Sequence, residues 1–336
     1  MILVTGATGF LGHHLAPMLV QAGYQVRVLV RPSSDTGFLK QLGVELAVAD
    51  DICDAAAVTQ ACEGCRSVIH AAGLFRFWGD DADFHRVNVQ GTETVLHAAV
   101  AAVVKRFIYI STVAVVGRIP DGQWIDEDAP CRPLGPYQHS KLQAERLALS
   151  YHQEHSLPVI VLRPGAYYGP WGRYGFNRLF FEEPLHGWRI KVDGGRHITF
   201  PVYVQDVAQA ILLALDRGRP GEVYNICDDP ISHNDANAII SDLAGIGRWR
   251  VNVPAWAMLL LARIWTALSR YTHHEPFYPI NLAPYVFQDW RVCSRRAREV
   301  LGFQPTPFAK GAQMTLKWYR EQEILKRRKA PEVTIP

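Results

Sequence analysis

The sequence predicts an α/β fold with a doubly wound parallel sheet, and three observations support this. Short apolar, β-branched runs alternate with longer helical patterns through the first half of the chain, as in parallel strands joined by crossover helices. A glycine-rich turn directly follows the first of these runs. Beyond about residue 165 the alternation becomes irregular, and Trp, Tyr, Phe and Pro become dense. This change predicts a smaller C-terminal α/β lobe.

The pattern places the individual elements along the chain. Strands are predicted at residues 2–4, 25–30, 45–48, 67–70, 106–111 and 159–163, and helices at 11–22, 54–62, 84–102 and 137–155. We therefore assign residues 1–164 to the sheet domain and 165–336 to a substrate-binding lobe, with parts of 165–230 able to return to the sheet. A short strand at 222–226 is predicted among the helices of that lobe. Right-handed crossovers place the ligand crevice at the C-terminal ends of the sheet strands.

Composition narrows the class of protein. The 336 residues are 49% hydrophobic with a net charge of +3, enough to bury a full core and too evenly charged to indicate a nucleic-acid partner. The six cysteines are expected to be reduced, and Cys62 and Cys65 lack further ligands at metal spacing, so no metal site is predicted. Because residue 2 already begins a strand, we expect no signal peptide and a cytoplasmic protein.

The most apolar stretch is residues 255–268. Arg263 interrupts it, and it is shorter than the roughly 20 residues that a bilayer crossing needs, so no transmembrane helix is predicted. We expect a buried packing helix here. A lid over the substrate, or an amphipathic segment on a membrane surface beside the basic run 326–329, are the alternatives.

The glycine-rich turn has the spacing of a phosphate-binding loop. Gly6 permits a tight turn, Gly9 lets backbone N–H groups approach a pyrophosphate, and Gly12 lets the next helix pack closely. Strand, turn, helix and second strand follow in order, which indicates a dinucleotide site. At the tip of the second strand, where an acid would hold the ribose of NAD, stands Arg31, which suits a 2′-phosphate. NADP is therefore predicted, with NAD as second choice if Arg31 is merely an exposed arginine.

A candidate catalytic group follows further along. Tyr137 and Lys141 lie one turn apart on a predicted helix, and an ammonium beside a phenol lowers the pKa of the phenol. Tyr137 could then exchange a proton with a substrate alcohol or carbonyl. A hydroxyl at the strand end, Ser111 or Thr112, would hold the same oxygen.

These motifs together resemble the extended short-chain dehydrogenases/reductases, the superfamily of NAD-dependent epimerases and dehydratases. The resemblance rests on residues 5–12, 51–52, 68–73, 88–92, 109–112, 137–141, 163–165 and 202–208. It implies a Rossmann sheet and an NAD(P)-dependent enzyme. It also implies that Asp51 and Ile52 border the adenine, that Asn88 braces the central helix, and that Thr112 rather than Ser111 is catalytic.

The predicted site follows from pattern and resemblance together. The catalytic residues are Thr112, Tyr137 and Lys141. The predicted cofactor-binding residues are Gly6, Thr8, Gly9, Phe10, Leu11, Gly12, Arg31, Asp51, Ile52, Ala71, Ala72, Gly73, Asn88, Ser111, Tyr137, Lys141 and Pro164.

Residues expected near the substrate indicate the branch within the superfamily. Nucleotide-sugar epimerases usually carry an asparagine where this chain has Ala166, and the chain looks more like the 3β-hydroxysteroid dehydrogenase and dihydroflavonol-reductase branch. It also resembles hopanoid-associated sugar epimerases. Residues with aromatic side chains cluster on loops expected at the crevice mouth, either as a substrate wall or as interlobe core. The predicted substrate residues are Phe75, Phe77, Trp78, Ala166, Tyr167 and Tyr168, with Trp171, Tyr174 and Phe176 in the same cluster.

The predicted activity is hydride transfer to or from a secondary alcohol or ketone on a hydrophobic small molecule such as a sterol, flavonoid or terpenoid. The alternatives are nucleotide-sugar epimerisation or dehydration with NAD, and a non-catalytic dinucleotide-binding sensor or assembly subunit. The resemblance further implies a homodimer through the helices that begin near Phe84 and Tyr137.

Overall fold

The computed structural model describes residues 1–120, 122–272 and 274–329. Seven parallel strands form the central sheet, in the order β3-β2-β1-β4-β5-β6-β7. The strand order reverses between β1 and β4, so the crevice opens beyond their C-terminal ends. The strands are β1 (Ile2–Thr5), β2 (Val26–Val30), β3 (Glu45–Val48), β4 (Ser67–His70), β5 (Arg106–Ile110), β6 (Val159–Pro164) and β7 (Val223–Ile226).

Helices cover both faces of the sheet, which explains why its central strands are apolar throughout. One face packs against α1 and α8, and the other against α3, α5 and α6. The α-helices are α1 (Gly12–Gln21), α2 (Gly37–Gln41), α3 (Ala55–Cys62), α4 (Asp81–Phe84), α5 (Gly91–Ala101), α6 (Pro136–His155), α7 (Glu183–Leu185), α8 (Val204–Arg217), α9 (His233–Ala244), α10 (Ala255–Thr272), α11 (Ala283–Val286) and α12 (Phe308–Lys329).

Single turns of other helix types complete the backbone. The 3₁₀ turns are Val113–Val116, Asp193–Gly195 and Ile280–Leu282, and the π turns are His85–Gln90, Asn177–Glu182 and Ala297–Leu301. The π turn after α4 runs directly into α5, so the helix predicted at 84–102 is continuous from 81 to 101.

The second lobe consists of α7, α9 to α12 and paired short strands. Ala166–Tyr168 pairs with Pro201–Tyr203, Ile190–Val192 with Val251–Val253, Ile198–Thr199 with Ile231–Ser232, and Trp124–Ile125 with Arg291–Val292. Its core lies between α9, α12 and the Tyr168 strand.

The doubly wound sheet and the six predicted strands are confirmed. The strand predicted at 222–226 lies in the main sheet as β7, an edge strand parallel to β6, within the 165–230 segment that was expected to return to the sheet in part. With α8, it returns 204–226 to the sheet domain. Conversely, the short strand Trp124–Ile125 belongs to the first half of the sequence but pairs with Arg291–Val292 in the lobe. The two units are therefore interleaved in sequence.

None of the helices in the described part of the chain is long and apolar enough to cross a membrane.

Candidate active site

A cavity of about 660 Å³ runs along the C-terminal edge of the sheet. One end lies between the glycine turn and the tip of β2, and the other lies under the second lobe. The cavity therefore occupies the crevice that the strand order predicts.

The glycine turn is shaped by close backbone contacts. Gly6 has φ +76°, and a Cβ on it would lie 2.7 Å from the backbone of Ala71 and Ala72, so only glycine fits. A Cβ on Gly12 would lie 2.0 Å from the carbonyl of Ala7, so Gly12 lies behind the turn and permits its packing.

The N-terminus of α1 is free to receive an anion. It has no side-chain cap, and Phe10 and Leu11 line the cavity beside it. Exposed helix N–H groups and the helix dipole favour a phosphate at this point. The turn and helix together therefore fit the pyrophosphate of a dinucleotide.

A buried hydrogen-bonded chain fixes the far side of the turn. The Thr5 hydroxyl contacts His70 Nδ1 at 2.7 Å and accepts from the amide of Ala72 at 3.1 Å. On the other side of the ring, His70 Nε2 contacts the Thr92 hydroxyl at 2.9 Å, and Thr92 donates to the carbonyl of Asn88 at 2.6 Å. Burial lowers the pKa of His70 to about 3, so the imidazole is neutral. This chain positions Ala71 and Ala72, which line the cavity, and sequence reasoning missed it.

Asn88 lies outside the cavity lining. Its amide group accepts from Leu74 N at 2.7 Å, donates to Leu74 O at 3.1 Å and donates to the Ser140 hydroxyl at 2.9 Å. It thereby ties the loop after β4 to α6.

The end of the cavity near β2 carries two arginines. Arg31 is exposed, and no ion pair is found for it within the described residues. Arg86 pairs with Asp51, whose pKa is lowered first by the N–H of Cys53 and then by Arg86. Arg31, Asp51, Ile52 and Arg86 all line the cavity. Arg86 was not predicted, because nothing in the sequence pairs it with Asp51.

Thr112, Tyr137 and Lys141 all line one wall of the cavity. Tyr137 and Lys141 lie in the first turns of α6, which begins at Pro136. Thr112 ends the loop after β5 and caps the 3₁₀ turn, accepting from Ala114 N at 3.2 Å. The Lys141 ammonium donates to the carbonyl of Ile110 at 2.7 Å. All three predicted catalytic residues therefore line the same cavity.

The charge states differ from the expected ones. Burial raises the pKa of Tyr137 well above 10, and the hydrogen bond from Thr112 lowers it only in part. Burial lowers the pKa of Lys141 to about 7, against a raising effect of Glu145. The expected lowering of the Tyr137 pKa by Lys141 is therefore wrong in direction, because burial raises that pKa and the Lys141 ammonium is instead bonded to the carbonyl of Ile110.

A buried ion pair lies behind these residues. Glu145, one turn after Lys141 on α6, binds Arg163 through two contacts, Nη2 to Oε1 at 2.5 Å and Nε to Oε2 at 3.0 Å. The Ser111 hydroxyl also donates to Glu145, at 2.5 Å. Because its hydrogen is committed to Glu145, Ser111 is less available to a substrate oxygen than Thr112. Sequence reasoning missed Glu145, although its helical spacing from Lys141 was a usable signal.

Aromatic side chains line the cavity next to Tyr137. The ring of Phe75 lies 4.8 Å from that of Tyr137 and 5.5 Å from that of Tyr174, and Phe77 stacks on Tyr174 at 5.4 Å. The apolar and aromatic lining residues are Phe75, Phe77, Ala166, Tyr167, Tyr174, Phe176, Leu179, Phe180, Phe200, Tyr285 and Val286. Tyr285 comes from a distant segment that no local pattern indicated.

Several predicted contact residues lie elsewhere. Tyr168 is fully buried in the lobe core and donates to the carbonyl of Phe308 at 3.3 Å, because it faces away from Tyr167 on the same short strand. Trp78 donates its indole N–H to Ser269 at 3.0 Å, outside the cavity lining. Trp171 stacks on His13 at 4.7 Å. Pro164 ends β6 in the core, and its neighbour Gly165 lines the cavity instead.

The glycine turn, the open helix N-terminus and the Thr-Tyr-Lys wall define a dinucleotide-dependent α/β enzyme. A family model described as the NAD dependent epimerase/dehydratase family matches residues 2–227. The chain therefore belongs to that family, within the extended short-chain dehydrogenases/reductases that its motifs predicted.

Similar proteins include several activities. A 4-hydroxy-2-methyl-3-oxo-4-farnesyl-3,4-dihydroquinoline-1-oxide ketoreductase of Stigmatella aurantiaca is 32% identical, with 89% of this chain and 90% of the relative covered. A dTDP-glucose 4,6-dehydratase of Streptomyces antibioticus is 31% identical, with 100% and 98% covered. Among solved structures, the fold is similar to that of a dTDP-glucose 4,6-dehydratase double mutant from Streptomyces venezuelae with NAD and DAU bound. The TM-score is 0.77 and the sequence identity is 26%, with 97% of this chain and 98% of that chain covered.

Proposed function

We propose that the protein transfers a hydride between a nicotinamide dinucleotide and a secondary alcohol or ketone on a largely apolar molecule. The observation that carries this proposal is the aromatic wall facing Tyr137, formed by Phe75, Phe77 and Tyr174. Aromatic walls bury apolar rings and chains well. The name of the ketoreductase relative describes a substrate with a farnesyl group, and this apolar group agrees with the proposed substrate class.

The side chains divide the work at the substrate oxygen. A bound nicotinamide would supply or accept the hydride at the adjacent carbon. Tyr137 has a raised pKa and so holds its proton, which suits it to protonate an oxygen that gains charge during reduction. Thr112 donates a second hydrogen bond to that oxygen, and Lys141 presents its ammonium beside the same wall. Glu145 and Arg163 position these elements from behind.

We further propose NADP as the preferred cofactor. Arg31 has no ion-pair partner among the described residues. Arg86 neutralises Asp51, which is the carboxylate in the lining that could take the role of the acid that holds the ribose of NAD. A 2′-phosphate would gain a charge-assisted contact from Arg31.

Titration of the two oxidised and the two reduced cofactors tests this preference. Arg31→Gln should weaken NADP binding by about tenfold or more, because a hydrogen bond to a charged group contributes about 1.5–3 kcal/mol, and should leave NAD binding unchanged. Arg118→Gln, at an exposed arginine outside the cavity, is the matched control. Equal loss of both cofactors in Arg31→Gln would contradict the proposal.

Action on a sugar nucleotide is the second candidate. It is favoured by the identity to dTDP-glucose dehydratases and by Arg76 and Arg173 in the lining, which could meet a diphosphate. Of the two reactions, epimerisation needs only the groups already described. Dehydration has less support. Elimination of water needs an additional acid and base, and within the described lining the only carboxylate is Asp51, already paired at the other end.

One assay separates the two candidates. The protein is incubated with NADPH and a panel of apolar ketones, and with sugar nucleotides and catalytic NAD. Ketone-dependent net loss of NADPH supports reduction. Interconversion of sugar nucleotides without net cofactor turnover supports epimerisation and overturns the leading proposal.

Two further predictions accompany the proposed function. A homodimer through the helices that start at Asp81 and Pro136 follows from the family resemblance, and light scattering would test it. A cytoplasmic location stays a prediction from the sequence.

A further inference from the structure

Helix α10 carries a row of exposed apolar side chains. Trp256, Leu260, Ile264, Leu268 and Tyr271 follow at intervals of four, four, four and three residues, so they share one face, and their exposed fractions lie between 47% and 86%. We call this row the α10 ridge. Contiguous apolar surface of this kind marks an interaction site in a folded protein.

The opposite face of α10 is firmly packed. Met258 and Ala262 are buried in a cluster with Phe77 and Tyr278, and Ser269 accepts a hydrogen bond from Trp78. The ridge is therefore the outer face of a helix whose inner face packs on the rest of the protein. The inner face contacts Phe77, which also lines the cavity. The expected buried packing helix is correct for this inner face only.

Two tryptophans extend the apolar surface. Trp188 and Trp249 are 62% and 75% exposed and flank the strand pair in which the amide of Val251 bonds the carbonyl of Arg189. The ring of Trp188 lies 6.2 Å from Phe277, which lies 6.0 Å from Trp265 of α10. Exposed tryptophans beside an amphipathic helix are typical of the boundary between lipid headgroups and acyl chains.

The segment that contains α10 has basic side chains and no acidic ones. Between Asp242 and Glu275 the chain has four arginines, two histidines and no carboxylate. Arg248 pairs with Asp242, and Arg263 is exposed with no ion pair among the described residues.

Two further arginines beside the tryptophans have unused donors. Arg250 is 5% exposed. Among the described residues, its Nε and Nη2 have no hydrogen-bond partner, and neither does Nε of the neighbouring Arg189. The two like charges repel, and burial together with Arg189 lowers the pKa of Arg250. The two arginines add positive charge beneath the exposed tryptophans.

We infer that the α10 ridge, with Trp188 and Trp249, docks on the surface of an anionic lipid bilayer. The apolar side chains enter the headgroup boundary, and the exposed Arg263 meets lipid phosphates. A second copy of the chain fits less well, because a twofold interface would bring the arginines of both copies together without a carboxylate from this segment. The inference rests on the exposed face alone and is independent of the proposed reaction.

Vesicle flotation of the full chain tests the inference. The probes are vesicles of phosphatidylcholine, with and without phosphatidylglycerol, at low and high salt. We expect binding to the anionic vesicles, a shift of tryptophan fluorescence to shorter wavelength, and weakening by salt. Leu260→Ser with Ile264→Ser should lower the partition coefficient by about tenfold or more, and Arg263→Gln by about fivefold.

Matched variants separate docking from damage to the fold. Trp256→Ser and Trp124→Ser each remove one exposed tryptophan, 70% and 61% exposed, and only Trp256→Ser should lower binding. All variants are checked by thermal unfolding. Absence of flotation with anionic vesicles at low salt, or an equal loss in both tryptophan variants, overturns the inference. So does a dimer in light scattering that Trp256→Ser dissociates.

Discussion

The two ends of the cavity are built in different ways. The nucleotide end is shaped by backbone: Gly6 and Gly12 admit contacts that a Cβ would block, and the N-terminus of α1 is left uncapped. The reactive end is shaped by side chains from many segments, such as Phe75, Tyr137 and Tyr285. A backbone-built site binds what the whole family binds, whereas a wall of side chains can change with the substrate.

The largest effect should come from the reactive end. Tyr137→Phe removes the proton donor without changing the shape of the wall, so turnover should fall by about 10²–10⁴-fold while cofactor affinity stays within about twofold. Stopped-flow reduction and cofactor titration measure the two quantities. Wild-type turnover in the variant would remove Tyr137 from the chemistry and with it the proposed reaction.

A change at the nucleotide end should instead lower the affinity for the cofactor. Gly6→Ala places a Cβ 2.7 Å from the backbone of Ala71 and Ala72, so cofactor affinity should fall by about tenfold or more. Gly23→Ala is the control, since Gly23 has φ +82° and open space around its Cα. Both variants share the cost of a positive φ, about 1 kcal/mol of stability, and only Gly6→Ala should lose the cofactor. Equal affinity in the two would show that the close approach does not shape the site.

The same contrast explains what could be predicted from the sequence. The strands, the glycine turn and the spacing of Tyr137 and Lys141 are local patterns, with periods of two residues or one helical turn. Pairs such as Arg86 with Asp51 and Arg163 with Glu145 join distant segments, so no local pattern reveals them. They require the fold to be known first.

Two errors have identifiable causes. Tyr167 and Tyr168 are neighbours on one short strand, and only knowledge of its pairing decides which of them faces the cavity. The expected low pKa of Tyr137 considered the cation one turn away and omitted burial, which is the largest cause of the raised pKa. At the reactive end the sequence predicted which residues lie near the cavity better than it predicted their orientation and charge.

A smaller effect should distinguish the substrate wall from the nucleotide end. Phe75→Ala opens the wall 4.8 Å from the ring of Tyr137, so KM for an apolar substrate should rise by about tenfold while cofactor affinity is unchanged. Trp171→Ala, at an aromatic residue outside the lining, is the control. If Phe75→Ala lowers KM for a sugar nucleotide instead, the wall excludes that substrate and does not bind an apolar one.

The smallest effect concerns stability without cofactor. The pKa of Lys141 falls from 10.5 to about 7 in the fold, so between these values the unfolded chain binds more protons and the free energy of unfolding rises with pH. Lys141→Met removes this penalty: the variant should gain most stability relative to wild type below a pH of about 7, and the difference should shrink as pH rises toward 10.5. Denaturant unfolding across that range measures it, with Lys105→Met at an exposed lysine as control. A difference that does not change with pH would mean that the ammonium is compensated in the fold, which would make the reactive end as preorganised as the glycine turn.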